Sequence, residues 1–492
     1  MAIKRFIADA DNTITNAYKP NLTTRGTGSN MGASDILEVF TIYGQESTAS
    51  TEAARILINF PITEITTART NEKIPASGSV EFYLRMHNAD HSLTLPVDYN
   101  LIVSALTKSW DEGYGLDMDS YSDAGTGSGG FGSNWVYANG EPPDNGAWVT
   151  EGGDFSTASY YNKTASIGKN GTDDIEVLVT NIVEDWIGSA VGLSGTNGLI
   201  VKMSDEAVDK TRSFYTKRFF ARGSEFFFKR PVLEARWDSS TKDDSGKFYA
   251  SSSLVEESDN SNILYLYNYV NGTKKNIPSV GPGSSIYLSL YEDLAGNLVS
   301  ATGSEHAVTG GWVSTGIYSA SICIDTTASL LYGVWHNGLP PTAEDSAHIQ
   351  FATCSVNIKK YESQCSNELP QHVTRITNLK SNYSDKENAR FRLYIRKKDW
   401  SPTIYSVAKN DIENTIVENA FYKIMRLADN LDVIDYGTGS DLHTLLSYDK
   451  DGNYFDLDIS MLEKDFAYGI KLLYKIHNDY VEQRELFKFR VT

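Results

Sequence analysis

Val80-Glu81-Phe82-Tyr83-Leu84-Arg85-Met86 sets apolar side chains at every second position, with Glu81, Tyr83 and Arg85 between them. A spacing of two is the period of a β-strand with one dry and one wet face. The pattern recurs along the chain. Ile286, Leu288 and Leu290 alternate with Tyr287 and Ser289, Phe391, Leu393 and Ile395 with Arg392 and Tyr394, and Phe455, Leu457 and Ile459 with Asp456 and Asp458. Asn170-Gly171, Asn197-Gly198, Asn271-Gly272 and Asp451-Gly452 punctuate these runs. Such pairs supply the positive φ angles of tight hairpins. Helical spacing is scarce, with short helices expected only near 181–187 and 412–417. The chain is expected to be all-β.

A length of 492 residues exceeds one ordinary core and predicts several domains. Polar stretches at 238–246 and 362–371 divide it into 1–237, 238–370 and 371–492. The last two are of immunoglobulin-like sandwich size, and the first fits a larger, jelly-roll-like sandwich. Hydrophobic residues make up 40%, enough for packed interiors, and the 29 Tyr against 20 Phe favour half-exposed sheet surfaces and interfaces. The 63 acidic against 44 basic residues give a net charge of −19, which argues against nucleic acid and anionic membranes as partners. Three cysteines, Cys323, Cys354 and Cys365, do not make a disulfide scaffold. A Cys323–Cys354 bridge is one reading and reduced thiols the other. The N-terminal residues carry no apolar signal core, and no run approaches the roughly 20 apolar residues of a membrane span. Synthesis in a cytoplasm without membrane insertion is therefore expected.

The first 237 residues carry an ordered series of motifs. They are Ala8-Asp9-Ala10-Asp11, Arg55-Ile56-Leu57-Ile58-Asn59-Phe60, Trp110-Asp111-Glu112-Gly113, Trp135, Trp148 with Gly152-Gly153-Asp154, Trp186 with Asn197-Gly198, and Arg230-Pro231-Val232-Leu233. In this order they resemble the DNRLRE domain family, which implies a carbohydrate-binding-like β-sandwich of surface and secreted proteins. Ala221-Arg222-Gly223 departs from the family's acidic "SRE" segment. The chain as a whole is similar to virion structural proteins of marine tailed bacteriophages, through 21–44, 245–272 and 448–462. That resemblance implies a non-enzymatic virion component made in a host cytoplasm. Its partners would be capsid, neck or tail subunits and further copies of itself. A carbohydrate-binding adhesin that takes a cell-surface glycan is the alternative.

Candidate site residues concentrate between Trp110 and Asp154. Asp111, Glu112, Asp117, Asp119 and Asp123 lie in one loop, and calcium takes roughly six to eight oxygens from such a loop. Asp9, Asp11 and Asp154 would join if the sandwich brings them near. A solvated loop needing no cofactor is the plainer reading. Trp110, Trp135 and Trp148 either stack on a sugar or anchor the core and loops. Asp111/Glu112 and Glu151/Asp154 are the carboxylate pairs that a glycosidase would need.

Other motifs read more plainly. The G-x-G-x-x-G string at 125–130 lacks the strand and helix of a dinucleotide site. Asp449–Asn453 opens like an EF-hand but reads as a hairpin turn. His87 and His91 are four apart, as zinc ligands on a helix would be, but they follow a strand and belong to a hairpin loop. The basic, aromatic run Lys217–Arg222 reads as a sheet edge or interface.

Overall fold

The computed structural model describes the chain apart from Met1 and residues 45–49, 92–97, 119–131, 140–145, 189–196, 207–212, 294–306, 339–348, 362–369, 402–403 and 405–413. The chain is all-β, as its patterning predicts. Residues 2–238 and 239–492 form two compact units. Among the described residues, no helix is long and apolar enough to cross a membrane.

The first unit contains β1 (Ile3–Ile7), β2 (Ala10–Thr15), β3 (Ile36–Tyr43), β4 (Thr51–Asn59), α1 (Ile62–Thr70), β5 (Glu81–Met86), β6 (Tyr99–Ala105), β7 (Asn162–Ile167), β8 (Ile175–Leu178), α2 (Thr180–Gly188), β9 (Leu199–Met203), β10 (Phe214–Phe220) and β11 (Val232–Arg236). One antiparallel sheet runs β1-β11-β5-β8. The other runs β10-β3-β4-β9-β6-β7, with β2 also paired to β4. Phe82, Leu84, Met86 and Leu233 of the smaller sheet pack with Leu37, Val39, Ile56, Ile58, Leu101 and Phe219 of the larger in one apolar core. The alternation from Phe82 to Met86 therefore points inward as its spacing requires.

Helix α2 lies where helical spacing is expected and buries Ile182, Val183 and Trp186. Helix α1 has no counterpart in the sequence reading. Its β-branched residues disfavour helix, but it buries Ile65 and Ala68, three apart on one face. Tertiary packing outweighs propensity there.

On the opposite face of the smaller sheet, Glu234 gathers three guanidiniums. Its carboxylate lies 2.6 Å from Arg5 Nε, 3.1 Å from Arg85 Nη1 and 2.6 Å from Arg236 Nε. Arg236 also grips Glu176 through both terminal nitrogens, at 3.0 and 2.8 Å. Glu234 is 1% exposed. Burial alone would raise its carboxyl, but Arg5, Arg85 and Arg236 outweigh burial and hold it well below the usual carboxylate range.

In the second unit the strands Asn262–Tyr267, Ile317–Ile322, Val308–Ser314, Ser285–Tyr291, Leu330–His336 and Gln350–Asn357 form one antiparallel sheet in that order. Tyr269–Val270 pairs with Thr273–Lys274 in a separate two-stranded sheet. The six-stranded sheet curls. Segment 244–250 meets both of its edges. At one edge Asp244 accepts from Ile263 N–H at 2.7 Å, and the Asn262 amide bonds Tyr249 N–H and C=O at 2.9 Å each. At the other edge Lys359 N–H donates to Phe248 C=O at 2.8 Å, and Ala250 N–H donates to Lys359 C=O at 3.1 Å. Curling buries Phe248 with Ile286, Leu288, Leu290 and Trp335. Cys323 and Cys354 are free thiols, and Cys365 lies outside the described residues.

The remaining strands form two sheets. His372–Ile376, Asn388–Lys397, Gly452–Asp458 and Ser447–Asp449 make one. The other contains Phe487–Val491, Ala467–Ile476, Ala420–Arg426 and Leu431–Ile434. Aromatic rings join them: Tyr422 stacks on Phe455 at 4.2 Å and Phe391 on Phe455 at 5.0 Å. Asp449 pairs with Gly452 across a tight hairpin, the turn expected of the EF-hand-like string. The helix expected near 412–417 is absent from its described part, 414–417. Asn453 bonds both N–H and C=O of Val417 there, at 2.9 and 2.8 Å, in place of helical partners.

Candidate functional site

Strand β4 is buried without alternation through Ile56, Leu57 and Ile58, because both of its faces are covered. Ile56 and Ile58 enter the main core. Leu57 faces the other way, with Ile14 of β2 and Ile200 of β9, under Leu106, Trp135, Ala138 and Trp148. The described residues between β6 and β7 thus form an outer layer with its own small core. Trp135 and Trp148 are 6% and 5% exposed.

Hydrogen bonds fix this layer. Trp148 Nε1–H donates to Asn134 C=O at 2.8 Å, and Trp110 Nε1–H donates to Asn197 C=O at 2.9 Å. The Asn30 amide donates to Glu112 and Ser133 carbonyls at 2.7 and 2.8 Å and accepts Gly115 N–H at 2.8 Å. Asn12 on β2 donates to Ser133 C=O at 2.8 Å and accepts Met31 N–H at 2.9 Å. Arg55 on β4 donates to Gly152 C=O at 2.6 Å and to Glu206 at 2.7 Å, with its guanidinium 4.8 Å from the Trp135 ring centre. Gly152 has φ +89°, and a Cβ there would lie 2.5 Å from Arg55 Nη1 and 2.8 Å from the Trp135 ring. Glycine at this position lets the loop press onto the arginine–tryptophan stack.

A charge cluster closes the edge. Glu112 accepts Asp11 N–H at 2.8 Å and pairs with the Arg222 guanidinium. Arg222 N–H donates to Asp11 Oδ2 at 2.6 Å. Burial pushes the Asp11 carboxyl up to about 7; the Arg222 N–H opposes this and the charge of Glu112 adds to it. Asp9 is raised in the same direction, chiefly by burial. Arg222, at the departure from the acidic segment, is thus the counter-ion of this cluster.

The structure brings Glu112 to Asp11 and places Trp110, Trp135, Trp148 and Asp154 in one layer, but it gives them internal partners. Asp154 accepts Val149 and Thr150 N–H groups at 2.8 and 2.9 Å, a local turn. Asp111 and Asp117 are exposed, and Asp119 and Asp123 lie outside the described residues. Among the described residues, no group of three or more His, Cys, Asp or Glu side chains is arranged to hold a metal. The G-x-G-x-x-G string also lies outside them. In the basic run, Lys217 is buried, Arg218 pairs with Glu38 at 2.5 Å, and Arg222 pairs with Glu112. Sequence reasoning missed Asn12 and Asn30 as organisers of the layer. Their polar side chains carry no spacing signal, and only the fold places them under the loops.

No family model and no curated protein matches the chain. Among solved structures it is similar to the adhesin InvE of Yersinia pseudotuberculosis, at 9% identity over 47% of this chain and 59% of that one, with a TM-score of 0.15. It is also similar to the native alpha-2-macroglobulin of E. coli, at 9% identity, 89% and 21% coverage and a TM-score of 0.16. A Salmonella alpha-2-macroglobulin reacted with methylamine gives 8% identity, 99% and 26% coverage and 0.15. The chain spans 59% of the adhesin chain and 21% and 26% of the two macroglobulins. Similarity at this level carries no functional argument.

Proposed function

We propose that this chain is a non-enzymatic building component of a tailed-bacteriophage particle, packing on capsid, neck or tail subunits and on further copies of itself. The observation that carries this reading is the fate of the side chains that look chemical. Trp135 and Trp148 are core residues, the Trp110 N–H is held by a carbonyl, and Glu112 and Asp154 fasten neighbouring chain. A catalytic or sugar site needs such groups turned toward a ligand. A loop layer bonded internally is a rigid platform instead. Its outward side chains include Tyr114, Leu116 and Val149, at 78%, 44% and 90% exposure. Exposed aromatic and aliphatic groups of this kind suit contact with another protein. The motif series resembling the DNRLRE family, a display module, agrees with this reading.

The second reading is a glycan-binding adhesin. It rests on the exposure of Tyr114, Asp111 and Asp117 and the half-buried Trp110 in one stretch of sequence. Cryo-electron microscopy of purified particles separates the two. Ordered density for this chain at symmetry-related positions, with large buried contacts, is expected. A chain absent from particles that binds glycans in solution, and loses that binding on Tyr114→Ala, overturns the structural reading.

A further inference from the structure

Lys217 is fully buried on β10, the edge strand of the larger sheet. Its Nζ lies 2.5 Å from Asn88 Oδ1, 2.8 Å from Gly171 C=O and 2.8 Å from Asp173 C=O. Asn88 follows β5 of the smaller sheet and is held on both sides. Its N–H donates to Asp174 Oδ1 at 2.7 Å, while Ala89 N–H donates to Arg218 C=O at 3.0 Å and Phe220 N–H to His87 C=O at 3.1 Å. His91 Nε2 lies 3.0 Å from the same Asn88 Oδ1 and 3.1 Å from Gly171 C=O. Asp174 in turn holds His87 Nδ1 at 2.9 Å. A buried amine thus sits against a side-chain amide whose oxygen also faces an imidazole nitrogen.

We propose that Lys217 and Asn88 condense to a side-chain amide, a covalent cross-link between the two sheets of the first unit. The inference is independent of the virion reading. The neutral Lys217 Nζ attacks Cγ of Asn88, and the carbonyl electron pair moves to Oδ1, where His91 Nε2–H donates to the developing oxyanion. As the carbonyl re-forms, the Cγ–Nδ2 bond breaks. Nδ2 leaves as ammonia and takes one of the two Nζ protons, so the other proton stays on the new amide. No oxidant or co-reactant is needed. Proximity is supplied by the fold, because both residues are fixed by strand-like pairing between 87–89 and 218–220. Burial lowers the Lys217 amine to about 8 against the opposing charges of Asp173 and Asp174, and that leaves about a tenth of it neutral at pH 7.

The test is mass spectrometry of the full chain expressed alone. The expected result is an intact mass lighter by one ammonia and a proteolytic fragment joining the peptides of residues 88 and 217, uncleaved by trypsin at Lys217. Asn-Gly sites also lose ammonia as succinimides, so the branched fragment is the deciding readout; mild alkali opens a succinimide and leaves the cross-link intact. Asn88→Ala and Lys217→Arg are expected to abolish the fragment, and His91→Phe to slow its appearance several-fold in freshly made protein. Separate, unmodified peptides for both residues in the wild-type chain overturn the proposal and leave Lys217 as an ammonium strut. That result does not depend on any variant folding.

Discussion

Glu234→Gln probes the guanidinium cluster with little change of shape. The wild-type carboxylate neutralises Arg5, Arg85 and Arg236 at 2.6–3.1 Å while only 1% exposed. The amide keeps one acceptor and turns an N–H₂ toward cations. Arg85 and Arg236 are then left with Glu176, whose side chain is 44% exposed. Removing one member of a buried pair costs about 3–5 kcal/mol, because the remaining charge stays desolvated. In a unit of this size that corresponds to a fall in midpoint of roughly 6–20 °C. Calorimetry of the full chain resolves it as a shift of one transition. The pH profile gives a second check. A carboxyl held below its ordinary range adds stability that is full above the unfolded value near 4.5 and is lost as pH falls below it. Wild type therefore loses stability from about pH 5 downward more steeply than Glu234→Gln. A destabilisation under about 1 kcal/mol, with parallel acid profiles, would show that the cluster is hydrated and refute the reasoning.

Asp11→Asn should raise stability at pH 8. With the folded carboxyl at about 7 against an ordinary 3.8, the folded state keeps its proton while the unfolded chain loses it, so stability falls as pH rises between those values. The amide retains the acceptor for Arg222 N–H, and urea melts should show a gain larger at pH 8 than at pH 5 by about 2–4 kcal/mol. Trp135→Ala, which empties the small core on the outer face, should cost about 3–5 kcal/mol in urea denaturation. Gly198→Ala should impair folding, because φ is +84° and a Cβ would lie 2.2 Å from Ile58 C=O; expression yield and near-UV circular dichroism report it.

The strands announced themselves where one face is wet. Phe82, Leu84 and Met86 point to the core as their spacing requires, and Asn271-Gly272 turns with both φ angles positive, 52° and 77°. The pattern failed where packing overrides local preference, as in α1, and where Asn453 replaces the backbone partners of Val417. Curling of the middle sheet was illegible, because segment 244–250 bonds both the first strand of that sheet and Lys359, which follows the last one, more than a hundred residues on. In the candidate site the residue types were visible and their assignments were not. Whether a tryptophan stacks on a ligand or fills a core depends on what lies beneath it, and for Trp135 that is Leu57 and Ile200, cross-strand partners on the adjacent strands β4 and β9. Arg222 looked like a lapse from a motif and turned out to be the partner of Glu112.

The curled sheet of the second unit sets the order in which that part of the chain can finish. Segment 244–250 leaves the ribosome ahead of every strand it touches, yet its bonds to Lys359 wait for the last strand to be made. Until then Phe248 has no interior to enter. Closure is therefore a late event after synthesis of the whole sheet, governed by a long loop search. During that interval the nascent chain carries two open sheet edges, and a neighbouring copy or a chaperone can occupy either one.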